Sequence, residues 1–429
     1  MIAQQKVHFN SMTKTYLLDP VQILHGSHRP IVKDAVLIRN GQIKAFGQEA
    51  RNKGATLKLK AKQCSKQLLA PCLVDPHSIL EDPLNGNCET LASLRNKAAQ
   101  TGYGQVALLP RSPSWRDRAD RLMGFNNPYS DVLIHLWGSF SKDGKKEELA
   151  THGELLQHGA VGIAEDDAII PIGLLERGFK LGEMGKSPVL LAPRDEDIQR
   201  DGLVREGVET LRAGWSPDPL ASETIPLSQL LELHNQHPNI SIRLMNISTK
   251  AGVEMLANSQ TKPMASVSWW HLIKDSSSLS NNELGWRVIP SLGRQKDRMA
   301  LIQGLLEKTL TAVAVHGIPL DEEELKLPTD KRLPGLSGYQ LVLPSLWQEL
   351  VVKLEWKAEQ LWEVLSFGPS RMLNQDEERL EIGSQRWLLF DPNKTWRKTL
   401  NNRQKTYCAN EPLEGEMILG KVIDCGLRN

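Results

Sequence analysis

The 429-residue chain has no apolar run that reaches the ~18 residues of a membrane-spanning helix. Its opening, Met-Ile-Ala-Gln-Gln-Lys-Val-His, lacks the apolar core of a secretory signal. Neither membrane insertion nor secretion is therefore expected. The five cysteines (Cys64, Cys72, Cys88, Cys408, Cys425) include no CxxC pair. Cys72 lies in an apolar run that suits a buried reduced thiol, and the usage as a whole fits a reducing cytoplasm. Net charge is nearly absent too: at +1, nothing pulls the chain as a whole toward nucleic acid or anionic lipid. The basic stretch from Arg111 to Arg121 is interleaved with Asp117 and Asp120, which marks a solvated face and not a phosphate track. Neither a G-x-S-x-G elbow nor a P-loop occurs, and Gly102-Tyr-Gly104 reads as a helix stop, not a dinucleotide fingerprint.

What is present is enough apolar residue for a sizeable core, with 40% hydrophobic and 24% charged residues. The length exceeds one ordinary domain but suits a barrel of ~250 residues with appended structure. Residues 1–67 carry short strand-like pieces, Thr15-Tyr-Leu-Leu, Ala35-Val-Leu-Ile-Arg and Gln42-Ile-Lys-Ala-Phe-Gly, with Asn40-Gly41 as a hairpin turn. From Leu68 onward apolar runs alternate with helical stretches. Eight strands are predicted, at 69–75, 105–109, 131–137, 160–165, 188–192, 240–246, 264–270 and 311–316. Helices are predicted at 89–101, 144–158, 171–186, 228–237, 249–259 and 295–308. Apolar strands separated by helices indicate parallel pairing buried on both faces, hence a closed (β/α)8 barrel, with an open doubly wound sheet as the alternative. The charged loop 321–332 reads as a solvated excursion or a lid, and helices at 339–353 and 357–367 follow. The end of the chain returns to strand-like Arg386-Trp-Leu-Leu-Phe-Asp391 and Glu416-Met-Ile-Leu-Gly-Lys-Val-Ile-Asp. The expected fold class is α/β: a TIM-type barrel over 68–373, flanked by a small β-sandwich domain built from 1–67 and 374–429.

In such a barrel the catalytic groups sit at the C-terminal strand ends. Strand one ends at Asp75-Pro-His77, with Ile79 two residues on. Many metal hydrolases place His-x-His there so that two imidazoles share one ion, and isoleucine cannot bind a metal. Strand two ends near Arg111, strand four at Glu165-Asp166-Asp167, strand five at Ala192-Pro-Arg194, strand six at Met245-Asn246, strand seven at Trp269-Trp270-His271 and strand eight at His316. A binuclear hydrolytic centre wants four or more His or carboxylate ligands with a bridging carboxylate. Only His77, Glu165 or Asp166, and His316 are ligand types at suitable ends. The competing reading of each histidine is a hydrogen-bonded structural group. Trp269-Trp270 is either the floor of a pocket or part of the core.

Taken together, the pieces resemble the dihydroorotases of the cyclic amidohydrolase superfamily over most of the chain. Pro71-Cys-Leu-Val-Asp-Pro-His77 resembles the family's P-G-x-V-D-x-H-x-H-x-R, and Gly104-Gln-Val-Ala-Leu-Leu-Pro110 its G-G-(FY)-T-x-V-x-x-M-P-N. Gly159-Ala-Val-Gly-Ile-Ala-Glu-Asp166 is similar to G-A-x-x-F-(ST)-D-D, and Met245-Asn-Ile-Ser-Thr249 matches H-V-S-T except at the histidine. Trp270-His-Leu272, Gly335-Leu-Ser-Gly338, Ser366-Phe-Gly-Pro-Ser-Arg371 and Gly415-Glu-Met-Ile-Leu-Gly-Lys-Val422 follow in the family's order.

The resemblance implies an amidohydrolase-type barrel and, for an intact member, a zinc site that hydrolyses the cyclic amide of dihydroorotate. Carried over residue by residue, the first metal histidine is His77 and the second has become Ile79. The arginine that grips the substrate carboxylate falls at Glu81, and its assisting asparagine at Arg111. The strand-four acid survives as Glu165 or Asp166. The metal histidines of strands five and six become Ala192 and Asn246, and the strand-eight aspartate, ligand and general base, becomes His316. Non-catalytic dihydroorotase-like chains serve bacteria as structural partners of aspartate carbamoyltransferase, and this pattern of losses resembles theirs. The expectation is thus a cytoplasmic pseudoenzyme of pyrimidine synthesis, without metal or other cofactor, assembled as an oligomer with that transferase. The rivals are a zinc-dependent cyclic amidohydrolase using His77, Glu165 or Asp166 and His316, and a sensor that kept only the pocket.

Overall fold

The computed structural model describes residues 15–125, 132–279, 283–399 and 406–427. The opening eight residues read above as lacking a secretory signal, and Asp131 at the expected start of the third strand, lie outside the described residues.

The described residues begin with three antiparallel strands, β1 (Thr15–Ile23), β2 (Val32–Arg39) and β3 (Gln42–Phe46). Asn40 and Gly41 turn the β2–β3 hairpin with φ of 53° and 74°, the paired left-handed conformation that an Asn-Gly loop adopts at least cost. The helix Gly47–Thr56 packs Ala50 on Leu17, Ala35, Leu37 and Ala45, closing the outer face of these strands. β4 (Lys62–Pro71) then lies parallel to β1.

The barrel follows as β5 (Leu73–Ser78), β6 (Tyr103–Leu108), β7 (Leu133–Ser139), β8 (Ala160–Ala164) and β9 (Pro188–Leu191). An excursion carries a small parallel pair, β10 (Val204–Arg205) and β11 (Pro217–Asp218), before β12 (Ser241–Leu244), β13 (Met264–Ser268) and β14 (Ala312–Ala314). The eight barrel strands are parallel and lie side by side in chain order, without the reversal that defines a doubly wound sheet. Between β14 and β5 the closure runs largely through side chains. The Asp75 carboxylate accepts the Val315 amide at 2.9 Å, Ser78 Oγ accepts the Gly317 amide at 2.8 Å, and the Ile79 amide donates to the Gly317 carbonyl at 2.8 Å. The interior is a packed core of Val74, Ala107, Trp137, Ala164, Leu190, Met245 and Ala312.

Helices fill the gaps as expected, with two shortened: the one predicted over 171–186 is Ile172–Leu181, stopped by Gly182 in the left-handed conformation. The helix predicted over 144–158 is only His152–Gln157, because the charged stretch before it is held as a loop by a bridge between Ser141 and Leu149. The loop 321–332 holds one short turn, Glu322–Leu325, capped by the Asp321 carboxylate on the Glu324 amide. Among the described residues no helix is long and apolar enough to cross a membrane.

β15 (Trp387–Arg397) and β16 (Met417–Cys425) return to the first sheet, which runs β16-β15-β4-β1-β2-β3. Both ends of the chain thus build one small domain. Its strands form a single hydrogen-bonded series, and side-chain bonds cross between its two halves. Trp387 Nε1 on β15 donates to the Gly41 carbonyl of the β2–β3 turn at 2.7 Å, and the Tyr16 hydroxyl of β1 reaches the Asp424 carboxylate of β16 at 2.6 Å. Leu18, Val36, Ile43, Trp387 and Leu389 fill the enclosed space. The strand predicted over Leu69–Asp75 proves to be two strands in two sheets. Residues Leu68–Pro71 of β4 pair with β15, and Cys72 is the corner. Pro71 lacks an amide hydrogen. Trp362 Nε1 takes its carbonyl at 2.9 Å, and Ser366 Oγ takes that of Cys72 at 2.7 Å.

Candidate functional site

The C-terminal end of β5 delivers His77 into the barrel, fully buried. Its Nδ1 lies 3.1 Å from Nδ1 of His316, which follows β14, and its Nε2 lies 2.8 Å from Oγ of Ser266 on β13. Ser266 Oγ also accepts the Asn246 amide at 3.0 Å. One placement of hydrogens gives each of the two short contacts a donor and an acceptor. Ser266 donates to His77 Nε2, His77 Nδ1–H donates to His316 Nδ1, and His316 carries its own hydrogen on Nε2. That hydrogen then faces the Asp167 carboxylate, 3.9 Å away. The opposite placement would aim a ring lone pair at a carboxylate.

Both imidazoles are neutral. Burial, and then the His316 ring beside it, holds His77 well below the ordinary histidine range. Burial pushes His316 down to about 4, with Arg194 and Arg111 adding to the effect and Asp167 opposing it. Asp167 behaves oppositely. Burial alone would raise it, but the Arg194 guanidinium, then His316 and Arg111, hold it below the usual carboxylate range. Arg194 is itself buried, with Nε on the Asp167 carbonyl at 2.7 Å and Nη2 on the Asp167 and Glu196 carboxylates at 3.3 and 2.8 Å.

The two other acids of strand four turn away from this row. Glu165 accepts the Ser141 amide at 3.0 Å and its hydroxyl, at the end of β7; burial pushes its carboxyl up to about 7. Asp166 accepts the Ala168 amide at 3.2 Å and lies 3.4 Å from Lys146 Nζ. Sequence reasoning picked Glu165 or Asp166 and passed over Asp167, although all three stand in the same run. It also missed Arg194 and Ser266.

Ile79 and Ala192 sit where the resemblance places metal histidines, and both are buried among Val74, Ala107, Leu109, Trp137 and Met245. Asn246 takes a left-handed φ of 57°, which asparagine tolerates, and its carboxamide oxygen and nitrogen are buried without partners. His316 Nε2 and Asp167 Oδ2 are also buried without a hydrogen bond. At the rim, Arg111 Nη2 meets the half-exposed Glu81 carboxylate at 3.0 Å, so the two positions that would grip a substrate carboxylate satisfy each other. Trp269 and Trp270 are core, edge to face at 5.4 Å.

These donors do not fit a binuclear zinc centre. Both His77 nitrogens are engaged, two positions are hydrocarbon, and Glu165 is turned toward β7. Among the described residues no group of three or more His, Cys, Asp or Glu is placed to hold a metal ion. The nearby buried charges are structural. Arg205 pairs with Asp218 and Glu223 at 3.1 and 3.3 Å, and Glu223 accepts the amides of Ser248 and Thr249 beyond β12.

No family model matches the chain. Among solved structures, a D-hydantoinase superposes with a TM-score of 0.75 at 17% identity, covering 96% of this chain and 94% of that one. The L-hydantoinase (dihydropyrimidinase) from Arthrobacter aurescens gives 0.74 at 16% identity over 95% and 93%. The fold, a barrel with a two-ended β domain, is therefore shared with these hydantoinases. By sequence, a probable dihydroorotase-like protein of Synechocystis sp. is 31% identical over 391 residues, 83% of this chain and 87% of that one. The dihydroorotase of Ruminiclostridium cellulolyticum is 26% identical over 363 residues, 82% and 84% of the two chains. The chain belongs to the dihydroorotase-like family.

Proposed function

We propose that this chain is a dihydroorotase-like protein that does not turn over dihydroorotate and acts as a structural or regulatory partner of aspartate carbamoyltransferase in pyrimidine synthesis. The observation that carries the first half is the direct contact between His77 Nδ1 and His316 Nδ1 beside the hydrocarbon of Ile79 and Ala192. Hydrolysis of a cyclic amide needs an activated water and a base to take its proton. Here the strand-eight base position is a neutral imidazole bonded to another neutral imidazole. The Glu81–Arg111 pair also removes the net positive charge that a substrate carboxylate would seek. The partner rests on the resemblance to non-catalytic members. A near-zero net charge supports it, since that suits a protein contact better than a nucleic-acid one.

Elemental analysis after dialysis and a dihydroorotate assay in both directions test the catalytic half. Two equivalents of zinc, or turnover that tracks the purified chain, would overturn it. One observation favours a second reading, a metal-dependent amidohydrolase with altered ligands. Asp167 Oδ2 and His316 Nε2 face each other, buried and without hydrogen bonds. One tightly held zinc per chain together with chelator-sensitive turnover would select that reading.

A further inference from the structure

Between the loops that follow β5 and β6 lies a cleft of about 240 Å³, lined by Glu81, Asp82, Pro83, Ser114, Arg116 and Phe125 among others. Arg116 is only 2% exposed. Its Nη2 donates to the Leu109 carbonyl, its guanidinium carbon stands 5.3 Å from the Phe125 ring centre, and its Nε has no partner. Among the described residues no carboxylate pairs with it. The next residue, Asp117, is committed elsewhere: it holds Arg121 at 2.5 Å and accepts the Asp143 amide at 2.7 Å. Two acids line the same cleft, and neither is within ion-pair distance of Arg116. Glu81 is held by Arg111, and Asp82 accepts the amides of Leu84 and Asn85 at 3.0 and 2.8 Å.

A guanidinium taken out of water without a counter-charge is costly. Among the described residues the other deeply buried arginines are paired, Arg194 with Asp167 and Arg205 with Asp218 and Glu223. Arg116 breaks that rule, and it does so in the wall of a cleft. Hydrogen bonding to a carbonyl and contact with an aromatic face offset only part of the loss. We propose that this cleft is a binding site for a small oxyanion group, carboxylate or phosphoryl, which supplies the counter-charge that Arg116 lacks. The site differs in residues from the carboxylate grip that the family resemblance would place at Glu81 and Arg111. It is also independent of any hydrolytic chemistry.

The test is calorimetric titration of the full-length chain with inorganic phosphate and, separately, with acetate, at constant ionic strength. Saturable binding of at least one anion in the millimolar range or tighter is expected. Arg116→Met should weaken it about tenfold or more, the usual weight of a charge-assisted hydrogen bond. Because that variant also strips the Leu109 carbonyl of its donor, a second variant guards against a folding defect. Ser114→Glu, at an exposed entrance position, offers the cleft an internal carboxylate. It should abolish binding without lowering the melting temperature. Binding of phosphate alone assigns a phosphoryl ligand, and binding of acetate a carboxylate. Failure of both anions to bind, or binding retained by both variants, overturns the site. Neither result bears on hydrolysis, which is read from dihydroorotate turnover.

Discussion

Single side chains decide most of what the barrel mouth can do. Ile79 lies in hydrocarbon, so Ile79→His would not rebuild a ligand pair. It would bury an imidazole among Val74, Ala107 and Trp137, at a cost of roughly 1–3 kcal/mol. Denaturant unfolding should show that loss, and the dihydroorotate assay should stay blank, because groups that act as a unit are not restored one at a time. Glu165 offers a pH test. Its folded carboxyl titrates near 7, above the unfolded value of about 4.3. Between those values the folded state holds the extra proton, so its stability falls as pH rises through the window and levels off above it. The buried imidazoles act the other way: His316, at about 4 when folded, weakens the fold as pH drops below about 6.5. Comparison with Glu165→Gln cancels that shared slope. Between pH 5 and 8 wild type should lose on the order of 2 kcal/mol relative to the variant in urea titrations. A parallel pH dependence would refute the assignment. The sequence showed His77 and His316 as ligand-type residues at strand ends. It could not show that they would meet each other, or that Asp167 and not its two neighbours would face them. Which of three consecutive acids turns inward depends on Ser141 and Arg194, distant in sequence.

Elements were more legible than residues, because period and punctuation carry them. The barrel strands alternate with helices in a pattern that needs no side-chain detail, and Asn40-Gly41 announces its hairpin. The passage from β4 to β5 was not legible, since one unbroken apolar run serves two sheets and nothing in hydrophobicity marks the change. The same stretch supplies the seam of the barrel. The Asp75 carboxylate accepts the Val315 amide, the Ser78 hydroxyl and the Tyr339 hydroxyl, the last at 2.7 Å, and so joins the first strand to the last. Burial pushes its carboxyl up to about 6 despite these donors, so at pH 7.5 it works mainly as an anion. Asp75→Asn keeps the shape but turns an NH2 toward groups that are already donors. It should cost roughly 2–4 kcal/mol in chemical unfolding at that pH. Tyr339→Phe should cost about 1 kcal/mol alone and much less in the Asp75→Asn background. Strict additivity would mean that the tyrosine hydroxyl does not work through Asp75.

At the scale of the whole molecule, the barrel is intact although Ile79 and Ala192 stand at positions where the resemblance places metal histidines. A barrel with an apolar interior, a side-chain seam and a two-ended β domain is held together by many specific contacts. Random substitution degrades stability by about 1 kcal/mol at a time, so such order persists where the fold or its surface is still used. If that use is assembly with aspartate carbamoyltransferase, it should be separable from the barrel mouth. Co-expression should give a mixed complex of greater mass than either chain alone, and removing this chain should change the transferase's size or activity. Ile79→His and Glu165→Gln, where they fold, should leave the complex intact, because their side chains are buried inside the barrel. The segment Asp275–Asn282, one contact candidate, is described only as far as Leu279. The loop 321–332 remains the other, with Leu327 and Lys331 exposed. Charge reversal there, such as Lys331→Glu, should weaken the complex without altering the melting temperature of the free chain. Should the transferase neither co-purify nor respond, the scaffold reading fails. Should a complex form but dissolve with folded variants of the mouth, the mouth is reporting a ligand, and the sensor reading takes its place.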